Sequence, residues 1–316
     1  MKFLLKALGI AVVLLVVLVS VLVASAWAPD RPVESLKARW APAPSQFVRI
    51  DGMDVHLRDE GPRGDPQPIV LLHGTSASLH TWDGWVDALK GRHRVIRVDL
   101  PGFGLTGPPP DADYTRERYS RFMVALFEQL KIGQAVVAGN SFGGGVAWKF
   151  AFDHPERVAK LILVDAGGYR AQAQSVPLAF TLARMPSLAP LMRNLLPRRV
   201  VESSVRNVYG DPSRVTPELV DRYYELALRE GNRQALAERF RAVPNEDHSS
   251  EIRQLPQPTL ILWGADDRLI PPALAQRFAK DVAGSRLQIF DGLGHVPHEE
   301  DPARTVAPVL DFLAQK

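Results

Sequence analysis

The rhythm of hydrophobic and polar positions changes several times along this chain of 316 residues. From Ala7 to Ala28 it is unbroken Leu, Val and Ala without a charge, the pattern of a helix that meets apolar surroundings on every side. From Phe47 to Arg58 apolar and polar residues alternate around Asp51-Gly52, which predicts a hairpin with one wet face and places His56 in solvent. Short continuous apolar runs follow at 68–72, 93–98, 135–138 and 158–164, separated by helical spacing over 79–90, 114–131 and 142–154. Runs apolar throughout need cover on both faces, so they predict parallel strands under helices.

Between Tyr169 and Leu255 the strand-like runs disappear. Apolar residues there recur at helical spacing over 178–185, 188–196 and 219–228, the last with Thr216 as cap and Pro217 in the first turn. Strands return at 258–263 and 286–290, with helices over 271–282 and 302–314. The pattern therefore predicts an α/β fold, a mostly parallel sheet flanked by helices and interrupted by a helical cap. Its expected divisions are 1–28 as an amino-terminal hydrophobic segment, 29–45 as a proline-broken linker, 46–168 as the first part of the core, 169–255 as the cap and 256–316 as the second part of the core.

The amino-terminal run supports two readings. Lys2 and Lys6 before an apolar core, with Ala24-Ser25-Ala26 behind it, fit a secretory signal. The length of the run and the interfacial Trp27 favour a retained membrane helix. In both cases the lysines hold the amino end in the cytoplasm, so the rest of the chain is expected outside it: periplasmic or extracytoplasmic if anchored, secreted if cleaved. A homodimer through the span or the cap is left open.

Composition narrows the chemistry. The net charge is only +3 and the basic residues are interspersed with acidic ones, so no nucleic-acid footprint is expected. Without a cysteine there is no thiol nucleophile, thiolate metal site or disulfide. No pair of histidines stands at a convincing ligand spacing, and neither a metal nor an organic cofactor is expected. Arg184, Arg193, Arg198 and Arg199 among apolar cap residues suit either a lid over an apolar pocket or solvated arginines on an ordinary cap.

Gly139-Asn140-Ser141-Phe142-Gly143 lies between a strand run and a helix run. That context predicts a sharp strand-to-helix turn with Ser141 lifted clear of the sheet and exposed, its glycine neighbours letting the two backbones approach. His73-Gly74 after a strand, Asp99-Leu100-Pro101-Gly102-Phe103-Gly104, the acid loop opened by Gly264 and the Gly294-His295 pair complete the set. With these residues the chain from about Gln46 to Lys316 resembles the α/β-hydrolases, which share the order serine, acid, histidine. The resemblance implies Ser141 as nucleophile, His295 as its base and Asp267, three residues after Gly264, as the acid, with Asp266 as the alternative. It also implies Thr75 and Phe142 as backbone donors to the oxyanion. His73, Gly74 and Asn140 are expected to border the substrate, with His73 shaping its loop.

A serine at the turn separates the chain from dehalogenase and epoxide-hydrolase relatives, which use a carboxylate there. Hydrolysis of carboxylic esters, lipidic ones above all, is the leading expectation, with phospholipids or lysophospholipids among them. Asn140 and Gly143-Gly144 also resemble the hydrolases that split carbon–carbon bonds of ring-cleavage products. Thr75-Ser76-Ala77-Ser78 and Val296 depart from those enzymes, which carry a glycine- and proline-rich loop and usually a tryptophan there. A hydrolase-fold binding protein without turnover is a third reading.

Overall fold

In a computed structural model, described here for residues 2–185, 193–243 and 245–315, the core is one eight-stranded sheet in the order β1-β2-β4-β3-β5-β6-β7-β8. The strands are β1 (Gln46–Ile50), β2 (Met53–Glu60), β3 (Ile69–Leu72), β4 (Val95–Val98), β5 (Ala135–Asn140), β6 (Val158–Val164), β7 (Thr259–Gly264) and β8 (Arg286–Phe290). The β1–β2 and β2–β4 pairs are antiparallel and the rest are parallel. Side chains from β3 to β7 are buried almost throughout, as the continuous apolar runs require.

Helices cover both faces. On one side lie α4 (Arg116–Gln129), α5 (Phe142–Asp153) and α11 (Ala273–Asp281), which bury Phe122, Trp148 and Phe278. On the other lie α3 (Asp83–Leu89) and α13 (Pro302–Leu313), where Trp85, Val309 and Phe312 close the core. The cap contributes α6 (Leu178–Ala183), α7 (Arg198–Val208), α8 (Pro217–Ala227), α9 (Asn232–Ala242) and α10 (Ser249–Ile252); α12 (Pro297–Glu300) sits between β8 and α13. Pro217 and Thr216 begin α8 as expected, with the threonine side chain accepting the Leu219 N–H.

Several expectations need correction. His56 is completely buried, because β2 is flanked by β1 and β4 and its far face is closed by Asp99, Ser45 and Phe47. Part of the helix expected over 188–196 lies outside the described residues. Its last residues are not helical: Leu195 forms a bridge with Trp27. Within the linker, α2 (Val33–Trp40) buries Leu36 against Leu105 and Leu226, and Arg39 pairs with Glu225.

The amino-terminal helix α1 (Lys2–Ala26) stands apart from the core. It is the one helix among the described residues long and apolar enough to cross a membrane, and none of its apolar window is buried inside the molecule.

Candidate active site

Four of the sequence-predicted loops converge where the parallel strands end. Ser141 sits between β5 and α5 with φ 54 and ψ −117, a conformation that few residues other than glycine adopt. The close approach behind it explains the glycines: a Cβ on Gly139 would lie 2.2 Å from the Gly143 carbonyl oxygen, and one on Gly143 would lie 2.4 Å from that of Leu72. The Ser141 carbonyl, in turn, accepts the N–H of Gly167 at 2.9 Å. The serine is not exposed on the surface. It is 9% accessible and lines an internal cavity of about 260 Å³ under the cap, so the strained turn lifts it into the cavity.

His295 lines the same cavity, and its Nδ1–H donates to Asp267 Oδ2 at 2.7 Å. The other Asp267 oxygen accepts the N–H groups of Leu269 and Ile270 at 2.8 and 2.9 Å, so this buried carboxylate is held on both sides. Asp266 is exposed and donates its backbone N–H to Leu293. Asp267 alone of the two reaches the histidine. Asp267 and Arg268 form no ion pair among the described residues.

The surrounding residues divide between the cavity and its frame. Gly74, Thr75 and Asn140 line the cavity, whereas His73 does not. His73 is fully buried, with Nδ1 against the Gly74 carbonyl and Nε2 accepting the Leu100 N–H at 2.9 Å; burial lowers its pKa and keeps it a neutral strut. Its expected place beside the substrate is therefore corrected to one behind the loop. Asn140 Nδ2 donates to the carbonyls of Val164 and His295 at 3.1 and 3.0 Å and ties the serine turn to the histidine loop. Phe142 opens α5, where a first-turn N–H has no partner within the helix. Its ring packs against Phe103 and Tyr119 and beneath the buried guanidinium of Arg239, whose pKa burial lowers to about 10.

Two supports were not legible in sequence. Glu300 is buried and accepts three backbone N–H groups, from Gly210, Asp211 and Gly294, at 3.0, 2.7 and 2.9 Å. It thus joins the cap to the residue before His295, and the His295 N–H itself donates to Val208 at 2.7 Å. The second is Asp99, buried after β4. Its Oδ1 accepts the Leu79 N–H, and its Oδ2 meets His56 Nδ1 and the Leu105 N–H, which fixes the loops beside the cavity.

Asp165, Asp267 and His295 are the one group of described residues whose ligand-type atoms cluster within 4.8 Å. Asp267 and the His295 Nδ1 are already committed to hydrogen bonds, which suits proton handling better than an ion.

Compared with known proteins, residues 67–302 match the family model described as alpha/beta hydrolase fold. The chain is an α/β hydrolase. Among curated relatives of this hydrolase is a 2-hydroxymuconate semialdehyde hydrolase from Pseudomonas sp. strain CF600, 32% identical over 277 residues that span 84% of this chain and 92% of the relative. A solved meta-cleavage product hydrolase from Pseudomonas fluorescens IP01 matches with a TM-score of 0.73 at 26% identity, over 85% of this chain and 96% of its own. A crystal structure of a membrane phospholipase A matches over 99% of this chain and 98% of its own, with a TM-score of 0.73; at 23% identity that likeness concerns the fold.

Proposed function

We propose that this hydrolase cleaves lipidic carboxylic esters from a position at a membrane, through an acyl-enzyme on Ser141. The observation that carries the reading is where α1 ends. Trp27 bridges Leu195, the Leu196 N–H donates to Ala26 at 3.0 Å and the Ala28 N–H donates to Asn194 at 2.8 Å. Arg193 and Leu196 at this junction line the cavity that holds Ser141 and His295. The apolar helix is thus joined to the wall of the pocket, and the pocket is lined largely by apolar cap side chains such as Phe180, Leu182 and Val205. With α1 in a bilayer, acyl chains would stand at high local concentration beside that wall.

In this reading His295 takes the Ser141 proton as the hydroxyl attacks the ester carbonyl, and returns it to the leaving alcohol. Asp267 holds the imidazole by its Nδ1–H and balances the imidazolium. The N–H groups of Phe142 and Thr75 are assigned to the oxyanion. Water then repeats the sequence on the acyl-enzyme, and the free acid leaves through the pocket.

Carbon–carbon bond hydrolysis is the second reading, supported by the 32% identical muconate semialdehyde hydrolase. Val296, a pocket residue where those enzymes usually carry tryptophan, counts against it. A panel of p-nitrophenyl esters of rising chain length, one phospholipid and one ring-cleavage dienoate decides between them on detergent-solubilised full-length protein. Turnover rising toward medium or long chains and lost in Ser141→Ala supports the ester reading. Turnover confined to the dienoate overturns it.

A further inference from the structure

Asp165 is a second carboxyl group behind the Asp267–His295 pair. It follows β6, whose Val164 pairs with Leu262 of β7, and its own N–H donates to the Leu262 carbonyl at 3.0 Å. The residue is completely buried and held at φ 45, a left-handed conformation that costs a non-glycine residue energy. Its Oδ1 accepts the Gly264 N–H at 3.0 Å. Its Oδ2 is fully enclosed and meets no donor among the described residues.

The surroundings make that oxygen informative. Ligand-type atoms of Asp165, Asp267 and His295 lie within 4.8 Å of one another, and the charge of Glu300 also bears on Asp165. Asp267 is spoken for by His295, Leu269 and Ile270, and Glu300 by three backbone N–H groups. No lysine or arginine pairs with Asp165 among the described residues. A second ionised carboxylate in this enclosure would face like charge with one oxygen unsolvated, a costly arrangement. A carboxylic acid would not, since its O–H supplies the donor the geometry lacks.

We propose that Asp165 works as a neutral carboxylic acid whose Oδ2–H donates to the Asp267 carboxylate, making it a positioning residue that keeps Asp267 turned toward His295. Burial, followed by the charge of Asp267, raises its pKa well above the usual carboxylate range, in the same sense. The role rests on the reading of Asp267 and His295 as a catalytic pair; the protonation state does not.

Infrared spectroscopy of the full-length protein at pH 7 tests the protonation without any substrate. The expected result is a protonated-carboxyl band that shifts in heavy water and is missing in Asp165→Asn. Absence of the band, or its persistence in the variant, overturns the proposal. Kinetics tests the positioning. Asn keeps a donor toward Asp267 and an acceptor for Gly264, so Asp165→Asn should hold kcat within about threefold, whereas Asp165→Leu, lacking the donor, should lower kcat about tenfold or more with KM little changed. A loss in Asp165→Asn as deep as in Asp267→Asn would make Asp165 an ionised partner of the histidine and sink the assignment. If Asp165→Leu fails to fold, the infrared band and the Asn variant still decide the matter.

Discussion

The carboxylate of Glu300 accepts the N–H of Gly294 at 2.9 Å, one residue before His295, while the same side chain holds Gly210 and Asp211 of the cap. One buried anion therefore sets the base of the cap and the height of the histidine loop together. A hydrogen bond to a charged group contributes more than a neutral one, and a buried donor left unpaired costs about 1–3 kcal/mol. Glu300→Gln should lower thermal stability and reduce kcat on a soluble ester by about tenfold or more, because a Gln amide offers one acceptor oxygen for three N–H groups. Unchanged kcat and melting temperature would show that the cap and the loop hold their places without it.

The assignment of the acid is open to a direct comparison. Asp267→Asn should cut kcat by roughly 10³- to 10⁴-fold, since it removes the charge that orients and balances the imidazole. Asp266→Asn should leave kcat within about threefold, because that side chain is exposed and does not meet His295. Ser141→Ala and His295→Ala should abolish turnover, and Ser141→Ala labelling by a fluorophosphonate as well, all with the fold intact by circular dichroism. A damaging Asp266→Asn beside a mild Asp267→Asn would reverse the choice.

Stability should decline as pH falls below about 6.5, for a reason visible in three histidines. His73, His80 and His298 are buried and burial lowers each pKa, that of His80 to about 3. The unfolded chain takes up protons near the ordinary histidine pKa of about 6.5 while the folded chain does not, so acid favours unfolding. Each such group adds a slope of up to about 1.4 kcal/mol per pH unit, ending where its folded form also titrates. Chemical denaturation at intervals from pH 7 to 4 should show this loss, and His80→Gln should flatten it. A curve flat across that range would mean that these side chains are charged in the fold.

What the sequence revealed and what it concealed follow one physical line. The glycines at 139 and 143 and the apolar strand runs were legible because local backbone geometry or burial dictates the residue type, whereas Ser141, Asp267 and His295 were singled out through the family resemblance. Features that depend on distant partners were not. His56 alternates like a wet strand residue, yet the neighbouring β4 and Asp99 close over it. Cap helix α7 has few apolar residues, and its buried Val201 and Val205 show their role only once Ala28 and Leu196 are seen packed with them. The helix expected over 114–131 ends at Gln129, because Lys131 takes the left-handed position and the Ile132 N–H returns to Phe127. Glu300 stands just before the helix expected over 302–314, and only the fold brings three N–H groups to it.

The junction between α1 and the cap gives the last prediction. Ala28 is 4% exposed and packs in a cluster with Leu196, Val201, Val205 and Val220. Arginine cannot enter this cluster without burying an unpaired charge, so Ala28→Arg should open the junction while leaving β5, β7 and their loops in place. If the wall at Arg193 and Leu196 receives acyl chains from the bilayer, this variant should keep its turnover of p-nitrophenyl acetate within about threefold and lose about tenfold on a long-chain ester presented in vesicles. Equal losses on both esters would place the damage in the catalytic core. Equal retention would mean that the pocket is filled without help from α1, and the proposed coupling of α1 to the pocket would be abandoned.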